Sequence, residues 1–154
     1  MDRADQADQA TCRRQALDLL ARREHTALEL EHKLTARGYD ETVIGPTLRA
    51  LEREGLIDST RFAEAFVRAR TGKGQGPVRI RAELRQRGVA ELECERALDA
   101  EDWIALARRV RAKKFGDRDA RSHEDRMRQS RFLQYRGFTQ EQIRRALDAA
   151  GQSD

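Results

Sequence analysis

The chain has 154 residues, with 31 Lys and Arg against 27 Asp and Glu, a formal net charge of +4, and hydrophobic and charged residues at 38% each. That length accommodates one globular domain or a few small units and excludes a large multidomain enzyme. Apolar content below the usual ~45–50% and charged content well above ~25% require thin cores under a wide solvated surface.

Only 2 Pro and 10 Gly punctuate a chain rich in Ala, Leu, Arg, Glu and Gln, which favours helix over a sandwich or barrel and predicts an all-α protein. No stretch approaches the ~18 uncharged apolar residues that span a bilayer, so no membrane association is expected. The opening Met1-Asp2-Arg3-Ala4-Asp5-Gln6 lacks the basic and then apolar run of a secretory signal, and a cytoplasmic location is expected. Cys12 and Cys94 have neither the number nor the spacing of a disulfide framework or zinc site and are expected as reduced thiols packed in or near helices.

In chain order, residues 1–10 are polar and expected to fray. A first unit, 11–54, has Leu17, Leu20 and Ala21 at helical spacing, a capping-box pattern at Thr26 and Glu29, and Leu30 and Leu34 leading to Gly38, a suitable left-handed helix end. Asp40 is placed to cap the next helix. Gly45-Pro46 falls within that helix and predicts a late start or a kink, with Leu48 and Leu51 still packed.

A second unit, 55–100, offers Phe62, Ala65 and Phe66, then Ile80 and Leu84 before Gly88. Between them, Gly72-Lys73-Gly74-Gln75-Gly76-Pro77 lacks the preceding strand and following Gly-Lys-Ser/Thr of a nucleotide loop. It reads as a flexible hinge with Pro77 at a first helical position. A third unit, 101–150, offers Trp103, Leu106, Ala107 and Val110, a longer loop from about Gly116 to Ser122, then Phe132 and Leu133, with a further helix start at Thr139 and Gln142. Residues 150–154 are polar and expected to fray.

The units are copies of one pattern. Aligning Gly38, Gly88 and Gly137 also superposes Leu34, Leu84 and Leu133, the preceding Arg37, Arg87 and Arg136, and later Leu48, Leu98 and Leu147. Glycine spacings of 50 and 49 residues fall in the range of tandem helical units. Three helices per unit, each second helix ending in a cation that suits the macrodipole, is the economical arrangement.

No catalytic constellation assembles. His25 and His32 are separated by the predicted boundary at Thr26, no carboxylate or cysteine completes a metal set, and both are expected as partly exposed polar residues. His123-Glu124 has no accompanying nucleophile, and Ser59, Ser122, Ser130 and Ser153 stand outside any nucleophile-elbow pattern. A non-enzymatic protein without metal or cofactor is expected.

Charge is the functional signal. Residues 61–88 hold 8 basic and 2 acidic side chains, 89–103 hold 1 and 6, and 104–145 hold 13 and 5. Arg68, Arg70, Lys73, Arg79, Arg81, Arg85 and Arg87 form the first basic block, and Arg108, Arg109, Lys113, Lys114, Arg131 and Arg136 lie in the second. With few carboxylates nearby in sequence, these residues point to DNA or an acidic surface on a DNA-associated protein. Trp103, Phe62, Phe66 and Phe132 occupy apolar helical positions and are assigned to the core rather than to base stacking.

Leu20-Ala21-Arg22-Arg23-Glu24-His25-Thr26, with Glu29-Leu30, Lys33-Leu34 and Gly38-Tyr39, resembles the opening signature of the RecX family of recombination regulators. Gly55-Leu56-Ile57-Asp58, Arg61-Phe62-Ala63, Gly76-Pro77 and Arg87-Gly88-Val89 look like its central motif, and Phe132-Leu133, Arg136-Gly137-Phe138 and Ile143-Arg144 like its terminal one. The resemblance implies an elongated, curved array of three-helix repeats. It further implies a protein that lies along the RecA filament on single-stranded DNA and inhibits its ATPase, strand-exchange and coprotease activities. A monomer with weak direct contact to single- or double-stranded DNA is expected. The two basic blocks are then the expected contact. A freestanding helical DNA-binding protein acting through the same blocks is the alternative.

Overall fold

A computed structural model of the chain describes residues 3–148, which form nine helices. They are α1 (Arg3–Arg22), α2 (Ala27–Ala36), α3 (Glu41–Arg53), α4 (Ser59–Gly72), α5 (Pro77–Gln86), α6 (Glu91–Asp99), α7 (Trp103–Phe115), α8 (His123–Arg136) and α9 (Gln140–Leu147). Packing between helices is extensive only within consecutive triplets, giving a linear array of three three-helix units.

Each unit buries its own core. Leu30, Leu34, Ile44 and Leu51 centre the first, Phe62, Ile80, Leu84 and Leu98 the second, and Leu106, Leu133, Ile143 and Leu147 the third. All six repeat-position leucines, Leu34, Leu48, Leu84, Leu98, Leu133 and Leu147, are buried. Half-buried Trp103 packs against both the second and third cores, so the single indole of the chain sits where two units meet.

Local signals place the ends. Thr26 accepts from the Glu29 amide at 3.0 Å while Glu29 accepts from the Thr26 amide at 3.1 Å, and Thr139 with Gln142 closes the same reciprocal box at 3.1 and 2.9 Å. Pro77 stands at the start of α5, and the long loop of unit three runs from Gly116 to Ser122. α1 begins at Arg3, so residues 3–10, expected to fray, are written into a 20-residue helix whose Ala, Gln and Arg are strong helix formers. The polar tail 150–154 lies outside the described residues.

The late start expected from Gly45-Pro46 does not occur. α3 begins at Glu41, because Asp40 accepts from the Glu41 amide at 2.9 Å and from the Thr42 hydroxyl at 2.7 Å, fixing a first turn ahead of the proline. Pro46 is accommodated inside the helix, and Leu48 and Leu51 pack as expected.

The second helices α8, α5 and α2 abut end to end. The Gly76 and Val78 amides at the start of α5 donate to the Arg136 and Gly137 carbonyls at the end of α8, at 2.8 and 2.9 Å. The first turn of α2 meets the end of α5 through the Leu28 side chain, where a Cβ added to Gly88 would lie 3.0 Å from Leu28 Cβ. Glycines 38, 88 and 137 all have positive φ, but Gly38 ends the column and has open space around it.

The hinge reading of Gly72–Pro77 is therefore corrected. Gly74, Gln75, Gly76 and Pro77 are buried, and a Cβ at Gly76 would fall 2.4 Å from the Gly137 carbonyl carbon. The glycines permit close backbone approach between units.

Candidate anion-binding groove

The seam between units two and three leaves an open groove of about 540 Å³ on one side. α7 contributes Leu106, Arg109, Val110, Lys113 and Lys114, which share one face at helical spacing. The end of α4 and its loop supply Thr71–Gly74, and α8 supplies Phe132 and Arg136. Five of the lining residues, Lys73, Arg109, Lys113, Lys114 and Arg136, are cations, and none is a carboxylate.

These positions follow from local folding. Lys73 is the residue after α4 ends, brought to the groove because the following glycine loop is pinned to Gly137. Arg136 donates to the Lys73 carbonyl at 3.0 Å and stands 5.2 Å from the Phe132 ring centroid, with the Lys114 ammonium 5.7 Å from the same ring. Lys113 and Lys114 lie in the last turn of α7, where the helix dipole favours cations. Lys73, Arg109 and Lys113 are exposed and have no carboxylate at ion-pair distance among the described residues. A concave surface with this charge raises the local concentration of anionic groups.

The other predicted contact residues are distributed differently. Arg81 and Arg85 both pair with Glu91, at 2.8 and 2.6 Å, which corrects the expectation that few carboxylates lie near the first basic block. The acidic stretch after Gly88 folds back as the first turn of α6 and partly neutralises α5, a contact invisible in the linear charge count. Arg70 pairs with Glu83 at 3.2 Å and Arg79 with the same carboxylate at 3.8 Å. Arg87 lies 3.7 Å from Glu29 and 4.8 Å from the Phe66 centroid, bridging units one and two. Arg108 donates to the Arg145 carbonyl, and Arg68 and Arg131 are exposed away from the groove lining.

Leu106, Val110 and Phe132, which were read only as core, also floor the groove. The 106, 109, 110, 113, 114 spacing of α7 was the available signal, since it places cations and apolar residues on one helix face.

The opening motif has a structural role. Glu29 accepts from Arg23 and the Thr26 amide while lying near Arg87 of unit two, and Glu24 pairs with Arg61 of unit two at 2.6 Å. His25, expected to be partly exposed, is 1% exposed because the chain folds over it between α1 and α2. Burial, with Arg23 and Lys33 close by, pushes its pKa below the usual 6.5. The unfolded chain therefore takes up a proton that the folded chain resists, and His25 lowers stability as pH falls below about 6.5. Urea midpoints measured downward from neutral pH should show this loss above the carboxylate range, and His25→Gln should remove it.

Among the described residues no group of three or more His, Cys, Asp or Glu could hold a metal ion, and no helix is long and apolar enough to cross a membrane. Cys12 and Cys94 are buried, and burial raises both thiol pKa values.

Comparison with known proteins adds a consistent set of matches. Models of the RecX first, second and third three-helix domains match residues 12–51, 58–98 and 100–147. A regulatory protein RecX from Halorhodospira halophila is 52% identical over 100% of this chain and 96% of its own length. One from Pseudomonas putida is 44% identical over 92% of each chain. A crystal structure of regulatory protein RecX superposes with a TM-score of 0.82 at 24% identity, covering 97% of this chain and 80% of that one. RecX from Lactobacillus salivarius gives 0.79 at 22%, covering 91% and 94%, and both structures share the fold.

Proposed function

The chain belongs to the RecX family, and from that premise we propose that it is a cytoplasmic, non-enzymatic regulator of homologous recombination and DNA repair that binds the RecA filament. In this reading it inhibits the ATPase, strand-exchange and coprotease activities of RecA. The observation that carries the reading is the groove between units two and three, where five cations converge without a carboxylate. Such a surface suits the phosphates or acidic side chains that line a nucleoprotein filament. A linear array of small units offers a long contact face, which fits a filament better than it fits a small ligand.

The second helices supply rigidity along the array, and the cations at the seam supply the contact. Arg136 does both, since it ties Lys73 in place and lines the groove. Arg81, Arg85 and Arg87 serve chiefly to hold α5 against α6 and unit one.

The test is capture of purified protein by RecA, with and without single-stranded DNA and a nonhydrolysed ATP analogue. Capture that requires the assembled filament supports the reading. Capture by bare duplex DNA alone, with a steep salt dependence, would instead identify a freestanding DNA-binding protein.

A further inference from the structure

The chain contains four lysines, of which Lys73, Lys113 and Lys114 line the groove and Lys33 stands alone on α2. Lys33 Nζ lies 2.8 Å from His25 Nε2. The other ring nitrogen, Nδ1, is 3.0 Å from the Arg23 carbonyl, which can only accept, so Nδ1 carries the proton and Nε2 presents a lone pair to the lysine. From this geometry we propose that Lys33 is an acylation site, with His25 as the built-in proton acceptor and acyl phosphates as the donor class.

The surroundings favour the free amine. Arg23 and Arg22 face Lys33 from the end of α1, Arg37 from the end of α2, and the carboxylate in reach, Glu29, is already engaged by Arg23 and the Thr26 amide. Partial burial and these arginines hold the ammonium below the usual lysine range. Lys33 is half-buried, while the imidazole beneath it is closed to solvent.

The step balances simply. The Nζ lone pair attacks the carbonyl carbon of the acyl phosphate, the carbon–oxygen bond to phosphate breaks, and phosphate departs with the bonding pair. The proton released from Nζ is taken by His25 Nε2 and passed to the departing phosphate, which leaves as hydrogen phosphate. The product is a neutral amide that can no longer take up a proton beside three arginines, fixing the charge of unit one without touching the groove.

The experiment treats the full chain with acetyl phosphate at neutral pH and follows occupancy of each lysine by peptide mass spectrometry. Lys33 is expected to acetylate several-fold faster than Lys73, Lys113 and Lys114, and H25Q should bring it down to their rate while circular dichroism stays helical. Equal or slower labelling of Lys33 in the wild type overturns the proposal, as does an unchanged rate in folded H25Q. Should H25Q unfold, the pH profile of wild-type labelling decides: Lys33 must reach its maximum rate at lower pH than the groove lysines.

Discussion

Replacing Gly76 by alanine is expected to cost about 3 kcal/mol and to uncouple the third unit from the second. Gly76 has an ordinary φ of −87°, so alanine meets no backbone penalty there. The cost is entirely one of space. The new methyl carbon would lie 2.4–2.5 Å from the Gly137 carbonyl and the Phe138 amide nitrogen, backbone atoms that can yield only if α5 and α8 separate. Separation also breaks the Gly76 to Arg136 and Val78 to Gly137 hydrogen bonds. In an array stabilised unit by unit and seam by seam, losing one seam lets the flanking unit unfold earlier. Trp103 packs on both adjoining cores and reports the event. In urea titrations of Gly76→Ala the tryptophan fluorescence transition should precede the loss of helical circular dichroism, whereas the wild type should show the two together. Gly38→Ala is the control: its φ of 95° makes alanine strained by about 1–2 kcal/mol, but nothing lies within 4 Å of the new methyl and the transitions should stay coincident.

Reversing Lys73, Arg109 and Lys113 together to glutamate is expected to weaken filament capture by on the order of 10²-fold. Each exposed cation meeting an anion contributes about 1 kcal/mol in water, and about 1.4 kcal/mol is tenfold in affinity. The three residues are exposed and have no carboxylate at ion-pair distance among the described residues, so their reversal breaks no ion pair described there. The salt dependence of binding should flatten in the same variant, because fewer counterions are exchanged on association. Reversing Arg81 and Arg85 should do less than tenfold damage, since Glu91 already neutralises part of their charge. A larger effect from Arg81 and Arg85 than from the groove residues would move the contact to the face of α5.

Much of the fold was legible because its signals are local. A capping box needs two residues three apart, and Thr26 with Glu29 and Thr139 with Gln142 both close as read. Gly38, Gly88 and Gly137 mark helix ends by their shared register, and the loop 116–122 follows from the longer third repeat. Of the late start or kink expected from Pro46, the late start is absent because Asp40 ahead of the proline caps the first turn at Glu41.

The features that escaped involve partners distant in sequence. Nothing in Gly72–Pro77 says that the Gly76 amide meets the Arg136 carbonyl, some sixty residues on, and so a docked loop looked like a hinge. Glu91 is ten residues from Arg81, but only the turn at Gly88 shows that it folds back between Arg81 and Arg85. His25, expected to be partly exposed as a polar residue, is buried where Arg23, Glu24 and Glu29 around it pair with one another and with unit two. The candidate groove was half legible: Lys73, Arg109, Lys113, Lys114 and Arg136 were all named, but grouped with eight arginines that the fold sends elsewhere.

The seam groove is proposed as the surface through which this chain acts on the RecA filament. Its most direct test is titration of RecA's single-strand-dependent ATPase with the wild type and with the Lys73, Arg109 and Lys113 triple reversal. Inhibition by the wild type that is lost in an equally helical triple variant is the predicted result; equal inhibition by both proteins would contradict it.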